Sequence, residues 1–487
     1  VNEVKSNGLG STGERRHQRQ RTGLLSSLVV FHSCSLLLFT SWAFGGQAPW
    51  VRQGIAAWGT VGVFLFILGC SRRVEASPER RLPALRLLWP LWLYDLLVVA
   101  SCFNPGFKEV FIGGQPSLVM ADPLPWLPSA AMPRSAAHEL WQFNVIVLSC
   151  FNLWLVLSSR RLIRLVLFVV AGNAVALAVF GTFQKLIHAK GLWLGLVPSP
   201  NPKFFSTFIY HNHWGAFTLL NTAVCLGLLF HFLRRGGGRD LWHSPVLLGA
   251  LTTLLLAASV PLSSSRSCTL LIGLLLAGAL GHMLLLIIRR RREHHESIVL
   301  PVTGIVIASM LAVAAISYLS REVIAQRAQL TSEQLAHMAN EDTLNSRLML
   351  YRNTWRMATA KPWFGWGLES FAYVFSIFNT QRTPELQWWR VYYAEAHNDW
   401  LQSLAEVGFI GTGLLGLLLG VPLANLSWRR VGSSIPRYLL AGNVVILLYA
   451  WVEFPFANPA VMLSFFLTFY CALRYAALEL SKGASIK

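Results

Sequence analysis

The stretch RQRTGLLSSLVVFHSCSLLLFTSWAF, residues 19–44, opens on two arginines and then runs to Phe44 without another formal charge. A helix rises 1.5 Å per residue, so an apolar run of about 20 residues spans the roughly 30 Å of a bilayer's hydrocarbon. The run lacks the strict alternation of a strand, and a lone segment in hydrocarbon must satisfy its own backbone, which a helix does. It is long and no small-residue cleavage site closes it, so it reads as an uncleaved first crossing rather than a signal peptide. Because the chain begins at Val1 rather than Met, its start is expected to be trimmed.

The pattern repeats along all 487 residues, and the predicted crossings are 24–44, 53–71, 87–103, 140–158, 162–186, 211–233, 245–262, 268–288, 298–318, 397–427, 436–453 and 456–475. Hydrophobic residues make up 54% of the chain and charged ones 13%, against about 25% charge in a soluble protein, and mean hydropathy is +0.49. This excludes an ordinary cytosolic enzyme, a secreted disulfide scaffold and a disordered tail. The seven cysteines are an odd number with no CxxC pair, so they read as small hydrophobes within helices. The expected fold is an all-α integral membrane protein with about 12 transmembrane helices.

A net charge of +19 raises the question of nucleic acid, and its distribution answers it. With the N-terminus inside, the two termini and every second gap hold nearly two thirds of the 41 Lys and Arg, and nearly all of the net charge. That is the positive-inside pattern of a multi-pass protein, so nucleic acid is not an expected partner. The expected organisation is a basic cytoplasmic N-terminus (1–23), nine helices (24–318), a large loop on the outer side (319–396), three helices (397–475) and a cytoplasmic C-terminus (476–487). The loop is expected to be mostly helical, with helices over 321–339, 343–360 and 369–378. A second outer segment, 104–139, is rich in Pro and Gly and reads as irregular. The two halves show no internal repeat, which weakens a transporter built from repeated bundles.

No GxxxxGK[ST], HExxH, GxSxG or Asp-x-Asp occurs, so nucleotide hydrolysis, zinc proteolysis and metal-dependent use of nucleotide sugars are poorly supported, and neither a metal nor a cofactor is expected. The strongest positive signal is AHNDWLQSLAEVGFIG, residues 396–411, in which His397-Asn398 is followed by nine residues and then Gly408 and Gly411. An imidazole titrates near pH 6.5 and can take a proton from a hydroxyl nucleophile if a neighbour orients it. Glu395, Asp399 and Glu406 are candidates for that neighbour, and the two glycines would allow close helix approach. The alternative is an interfacial histidine without chemistry.

Arginines supply the second signal. Arg266, in PLSSSRSCTLL, lies close to hydrocarbon, where an ionisable group needs a partner or a task. Arg347, Arg352 and Arg356 fall in NSRLMLYRNTWRMATAKP; 352 and 356 share a helix face and 347 is offset. Guanidinium forks bind phosphate bidentately, and several converging on a diphosphate can stabilise a leaving group. Alternatively they pair with Glu341, Asp342 or Glu369, or with lipid headgroups. In FIYHNHWGAF, His211 and His213 are two residues apart and do not share a face, so a metal pair is not expected; one of them, with Asn212, either lines the same cavity or packs between helices. Many of the 19 Trp fit an interfacial aromatic belt.

At these residues the chain resembles the O-antigen ligase and polymerase superfamily of bacterial envelope glycosyltransferases. AHNDWLQSLAEVGFIG fits that family's His-Asn-x9-Gly-x-x-Gly pattern without a gap, and SRLMLY followed by PWFGWG resembles its upstream arginine and Pro-x-x-Gly-x-Gly elements. FIYHNHWGAF stands where relatives more often carry Asn-Pro-Asn. The resemblance covers about 204–420. It implies metal-independent transfer of a glycan from an undecaprenyl-diphosphate donor to an acceptor hydroxyl, at the periplasmic face of the bacterial inner membrane. Arg266 and Arg347 would hold the diphosphate, with Arg352 and Arg356 as further candidates. His397 would activate or position the acceptor, and Asn398 and Glu395 would hold His397. The implied acceptor is lipid A core; a growing glycan (polymerase) and a protein (oligosaccharyltransferase) need the same donor chemistry. A lipid-linked glycan transporter, using the arginines only to bind, is a more distant alternative.

Overall fold

The computed structural model describes residues 9–76, 85–113, 115–235, 245–319, 342–381, 392–426 and 431–484. Among them, nine helices are long and apolar enough to cross a membrane, and three shorter apolar helices occupy the remaining predicted places. In chain order the helices are α1 (Leu9–Trp42), α2 (Pro49–Ala76), α3 (Trp89–Cys102), α4 (Pro133–Val156), α5 (Arg160–Leu186), α6 (His211–Arg235), α7 (Pro245–Leu262), α8 (Arg266–Glu293), α9 (Val299–Leu319), α10 (Asp342–Ala360), α11 (Phe371–Phe378), α12 (Asp399–Ala424), α13 (Ser434–Tyr449) and α14 (Pro459–Ala484). The short ones are α3, the apolar part of α9, and α13. The expected helix over 321–339 lies outside the described residues, while those expected over 343–360 and 369–378 correspond to α10 and α11.

Local sequence explains the ends of these elements. Ser159 caps α5 by accepting from the Arg161 amide at 3.2 Å. Arg290, Arg291 and Arg292 close α8, where the helix dipole favours positive charge. Pro133 and Pro459 open α4 and α14, at positions whose amides have no intrahelical partner anyway.

Helices α6 and α14 form the enclosed centre, with α13 packed along α6 and α4 along both α2 and α14. Large rings fill the space: Phe205, Phe208, Trp214 and Phe217 cluster at the start of α6, and Phe465, Phe469 and Tyr470 line α14. Against hydrocarbon such burial gains little from the hydrophobic effect, so dispersion and close contact hold the bundle. Gly62 shows how: a side chain there would run into Ser149 of α4. All seven cysteines are free.

One expectation is corrected. The segment 104–139 is not simply irregular, because Phe107–Ile112 (β1) pairs antiparallel with Gln115–Met120 (β2). The sequence FKEVFI-GG-QPSLVM has β-branched and aromatic residues on either side of two glycines, and the chain leaves β1 at Gly113 with φ +60°. Helix α4 also begins at Pro133, earlier than hydropathy alone placed it.

Candidate functional site

The large loop closes onto the start of α12 through two motifs that are far apart in sequence. Gly408 interrupts α12 with φ 67° and ψ −173°, a conformation open essentially to glycine alone. The interruption frees backbone groups, and the Pro362–Gly367 turn takes them up. Trp366 and Gly367 amides donate to Ala405 and Glu406 carbonyls at 3.0 and 2.7 Å, and Phe409 donates to Pro362 at 2.8 Å. A side chain at Gly408 would collide with the Trp363 carbonyl. The glycine of the His-Asn motif therefore receives a backbone turn, not the neighbouring helix that spacing suggested; the atoms nearest to a side chain at Gly411 belong to Val407 of its own helix.

Asn398 caps α12, its side chain accepting from the Leu401 amide at 3.0 Å. His397, one residue earlier, has a left-handed backbone with φ 52°. Such a conformation is uncommon outside glycine and points to a constrained position. The Tyr351 hydroxyl, on α10, donates to the His397 carbonyl at 2.9 Å and pins the turn. Burial raises the pKa of that hydroxyl, so it stays a donor.

The imidazole meets Glu453, a residue that the sequence reasoning did not single out. Glu453 lies between α13 and α14, is only 3% exposed, and is the acceptor at the centre of the site. Its Oε2 takes His397 Nδ1 at 3.3 Å, while its Oε1 takes Asn212 Nδ2 at 2.9 Å and Arg347 Nη2 at 3.3 Å. Asn212 in turn accepts from Ser265 Oγ at 2.7 Å and donates to the Tyr210 hydroxyl at 2.8 Å. Phe454 backs the group, stacking on Tyr210 and standing edge-on to His397 at 4.7 Å. A signal for Glu453 existed: a carboxylate in the apolar stretch AWVEFPFA, at the edge of a predicted crossing, is costly unless partnered.

The structure thus brings together His397, Arg347 and Asn212 from three separate sequence motifs. Arg266 opens α8 directly after Ser265, and its exposed guanidinium meets no partner among the described residues. His211 packs edge-on to Tyr210, and His213 Nε2 meets the Phe454 carbonyl at 3.3 Å. Arg352 and Arg356 do not join the cluster: they are exposed on α10, whereas Arg347 and Tyr351, one turn apart, address the site. None of Glu395, Asp399 and Glu406 reaches the imidazole. Glu395 accepts from Gln402 at 2.8 Å, Asp399 from the Phe456 amide at 3.0 Å, and Glu406 from the Glu369 and Phe371 amides at 3.2 and 3.1 Å. Positions 399, 402 and 406 share one face of α12 and line a different cavity. Burial there pushes the Glu395 carboxyl up to about 7.

The chemistry open to this arrangement follows from the carboxylate. An acceptor facing Nδ1 favours the tautomer with its proton on that nitrogen and leaves Nε2 as a base. The Arg347 side chain is 52% exposed and that of His397 is 30% exposed, so both present atoms to an incoming group.

Fold and site define a multi-pass membrane protein with a His–Glu pair and a neighbouring arginine where its large loop meets the bundle. Residues 251–416, about a third of the chain, match the family model described as O-antigen ligase, and this supports the O-antigen ligase and polymerase superfamily, whose members are glycosyltransferase-type enzymes. The matched stretch includes Arg266, Arg347 and His397 but neither Asn212 nor Glu453. No curated protein matches the chain.

Proposed function

We propose that the protein transfers a glycan from an undecaprenyl-diphosphate donor to an acceptor hydroxyl, at the periplasmic face of the bacterial inner membrane. The observation that carries this reading is Glu453 bridging His397 and Arg347: one carboxylate orients a base and steadies a cation beside it. His397 Nε2 accepts the acceptor's hydroxyl proton as that oxygen attacks the anomeric carbon. The bond from that carbon to the diphosphate oxygen breaks, its electron pair leaves with the diphosphate, and Arg347 and Arg266 balance the charge. Fixed arginine charge does here what a metal ion does in other glycosyl transfers. The acceptor in this reading is lipid A core.

The test is a transfer assay with purified protein in lipid, a polyprenyl-diphosphate oligosaccharide, and lipid A core or a peptide added separately, with products weighed by mass spectrometry. A single addition to lipid A core, lost in His397→Ala and in Arg347→Ala, is expected. A ladder of products would reassign the acceptor to the growing glycan. Turnover retained in both variants refutes the mechanism, and donor flipping without transfer refutes the enzyme.

A further inference from the structure

Beside the His397 site, across Asp399 and Phe456, lies a cavity of about 220 Å³ that the transfer mechanism does not use. Its lower wall is apolar, formed by residues such as Phe143, Leu418 and Phe465. Its upper wall carries Glu139, Glu369, Glu395 and Glu406 together with Arg52 and Gln402. Most of these groups are only partly engaged. Glu139 holds Arg52 at 3.1 Å and Glu395 holds Gln402 at 2.8 Å, yet a carboxylate offers about four lone-pair sites. Tyr94 presents a further polar group to the cavity. It is 4% exposed and lines the cavity, and its hydroxyl meets no hydrogen-bond partner among the described residues. The hydroxyl is open to the cavity rather than sealed in protein, so a ligand's polar group can meet it there.

The chemistry of the walls selects the ligand. Gln402 is taken up by Glu395 and Glu406, so Arg52 and Tyr94 donate while the carboxylates accept, and the ligand's head must do both at several points. A polyol does so and a quaternary ammonium does not. No three of these acids are placed to ligate a metal ion among the described residues. The volume is below the roughly 300–1,000 Å³ of drug-sized pockets, which limits the head to about one sugar ring. Arg52, Glu139 and Glu369 also line a wider cleft of about 350 Å³ with Arg134, Ser135 and His138, and this gives an approach from the loop-bearing side. We infer that this cavity is a saccharide subsite that seats one sugar ring of an amphiphile, its polar face on Glu139, Glu395 and Tyr94 and its apolar part against the lower wall. Resting on the transfer reading above, its occupant is the acceptor.

The test is binding without turnover. Protein in lipid nanodiscs is titrated with n-octyl β-glucoside, with n-octyl trimethylammonium and n-octanol as headgroup controls, and occupancy is read by native mass spectrometry. The glucoside should bind in preference to both controls, and Tyr94→Phe, which removes one oxygen, should weaken it about fivefold. Glu139→Gln should weaken it as well. Equal binding of the three amphiphiles, preference for the ammonium, or glucoside binding unchanged in both variants overturns the subsite. Wild-type protein that binds glucoside in a Tyr94-dependent way but transfers nothing keeps the subsite and sinks the transfer reading. Transfer without Tyr94-dependent binding sinks the subsite alone.

Discussion

Replacing Glu453 by Gln keeps the shape of the side chain at the centre of the site and removes its charge. One oxygen remains, and it can keep the buried bond to Asn212 at 2.9 Å. The amide nitrogen then stands where Oε2 accepted from His397 Nδ1 at 3.3 Å, and two donors face each other. The imidazole escapes by moving its proton to Nε2, which leaves no base towards the acceptor. A positioned general base contributes about 10²–10⁴-fold, so kcat for transfer should fall about 1,000-fold, or about 4 kcal/mol of barrier. The Arg347 contact adds little to this, because an ion pair with so exposed a partner is worth about 1 kcal/mol or less. Stability should change little, since volume and one acceptor are retained. The assay is the transfer reaction above, with thermal unfolding in nanodiscs as the folding control. A Glu453→Gln protein that folds and turns over within threefold of wild type, while His397→Ala is inactive, would refute the assignment of Glu453.

Gly408→Ala should lower stability by about 2–4 kcal/mol through its backbone conformation and its collision with the Trp363 carbonyl, whereas Gly413→Ala, in open space on the same helix, should not; thermal unfolding of the two compares them directly. Tyr351→Phe removes the donor to the His397 carbonyl and should lower kcat about fivefold with donor KM unchanged, measured as initial rates against donor concentration. Glu395 sets a pH dependence. Its folded pKa, raised by burial from 4.5 to about 7, favours the neutral carboxyl, so its contribution to stability is fully present below pH 4.5 and is lost as pH rises through about 7. Unfolding temperatures of wild type should therefore fall relative to Glu395→Gln between those limits, and parallel curves would count against the shift.

Membrane-crossing segments were legible because hydrocarbon imposes one rule on every helix: an apolar run of fixed length. The predicted run 162–186 and the observed Arg160–Leu186 differ only at one end, as do 211–233 and His211–Arg235. The hairpin Phe107–Met120 escaped because a short strand pair outside the apolar runs leaves only a weak local pattern. Within the site, His397 and Arg347 stood out because their motifs are contiguous. The orienting carboxylate did not, since sequence proximity favoured Glu395, Asp399 and Glu406.

The sequence alone determined the class of fold and the residue types able to do chemistry, because burial in lipid acts on each segment separately. Which residues meet was decided by tertiary structure. Across the left-handed turn at His397, Asp399, Gln402 and Glu406 line one cavity while the imidazole meets Glu453, which arrives from the α13–α14 connection. No spacing rule encodes that meeting, because it depends on how α6, α10, α12 and α14 pack, and packing is a property of surfaces that are far apart in the chain.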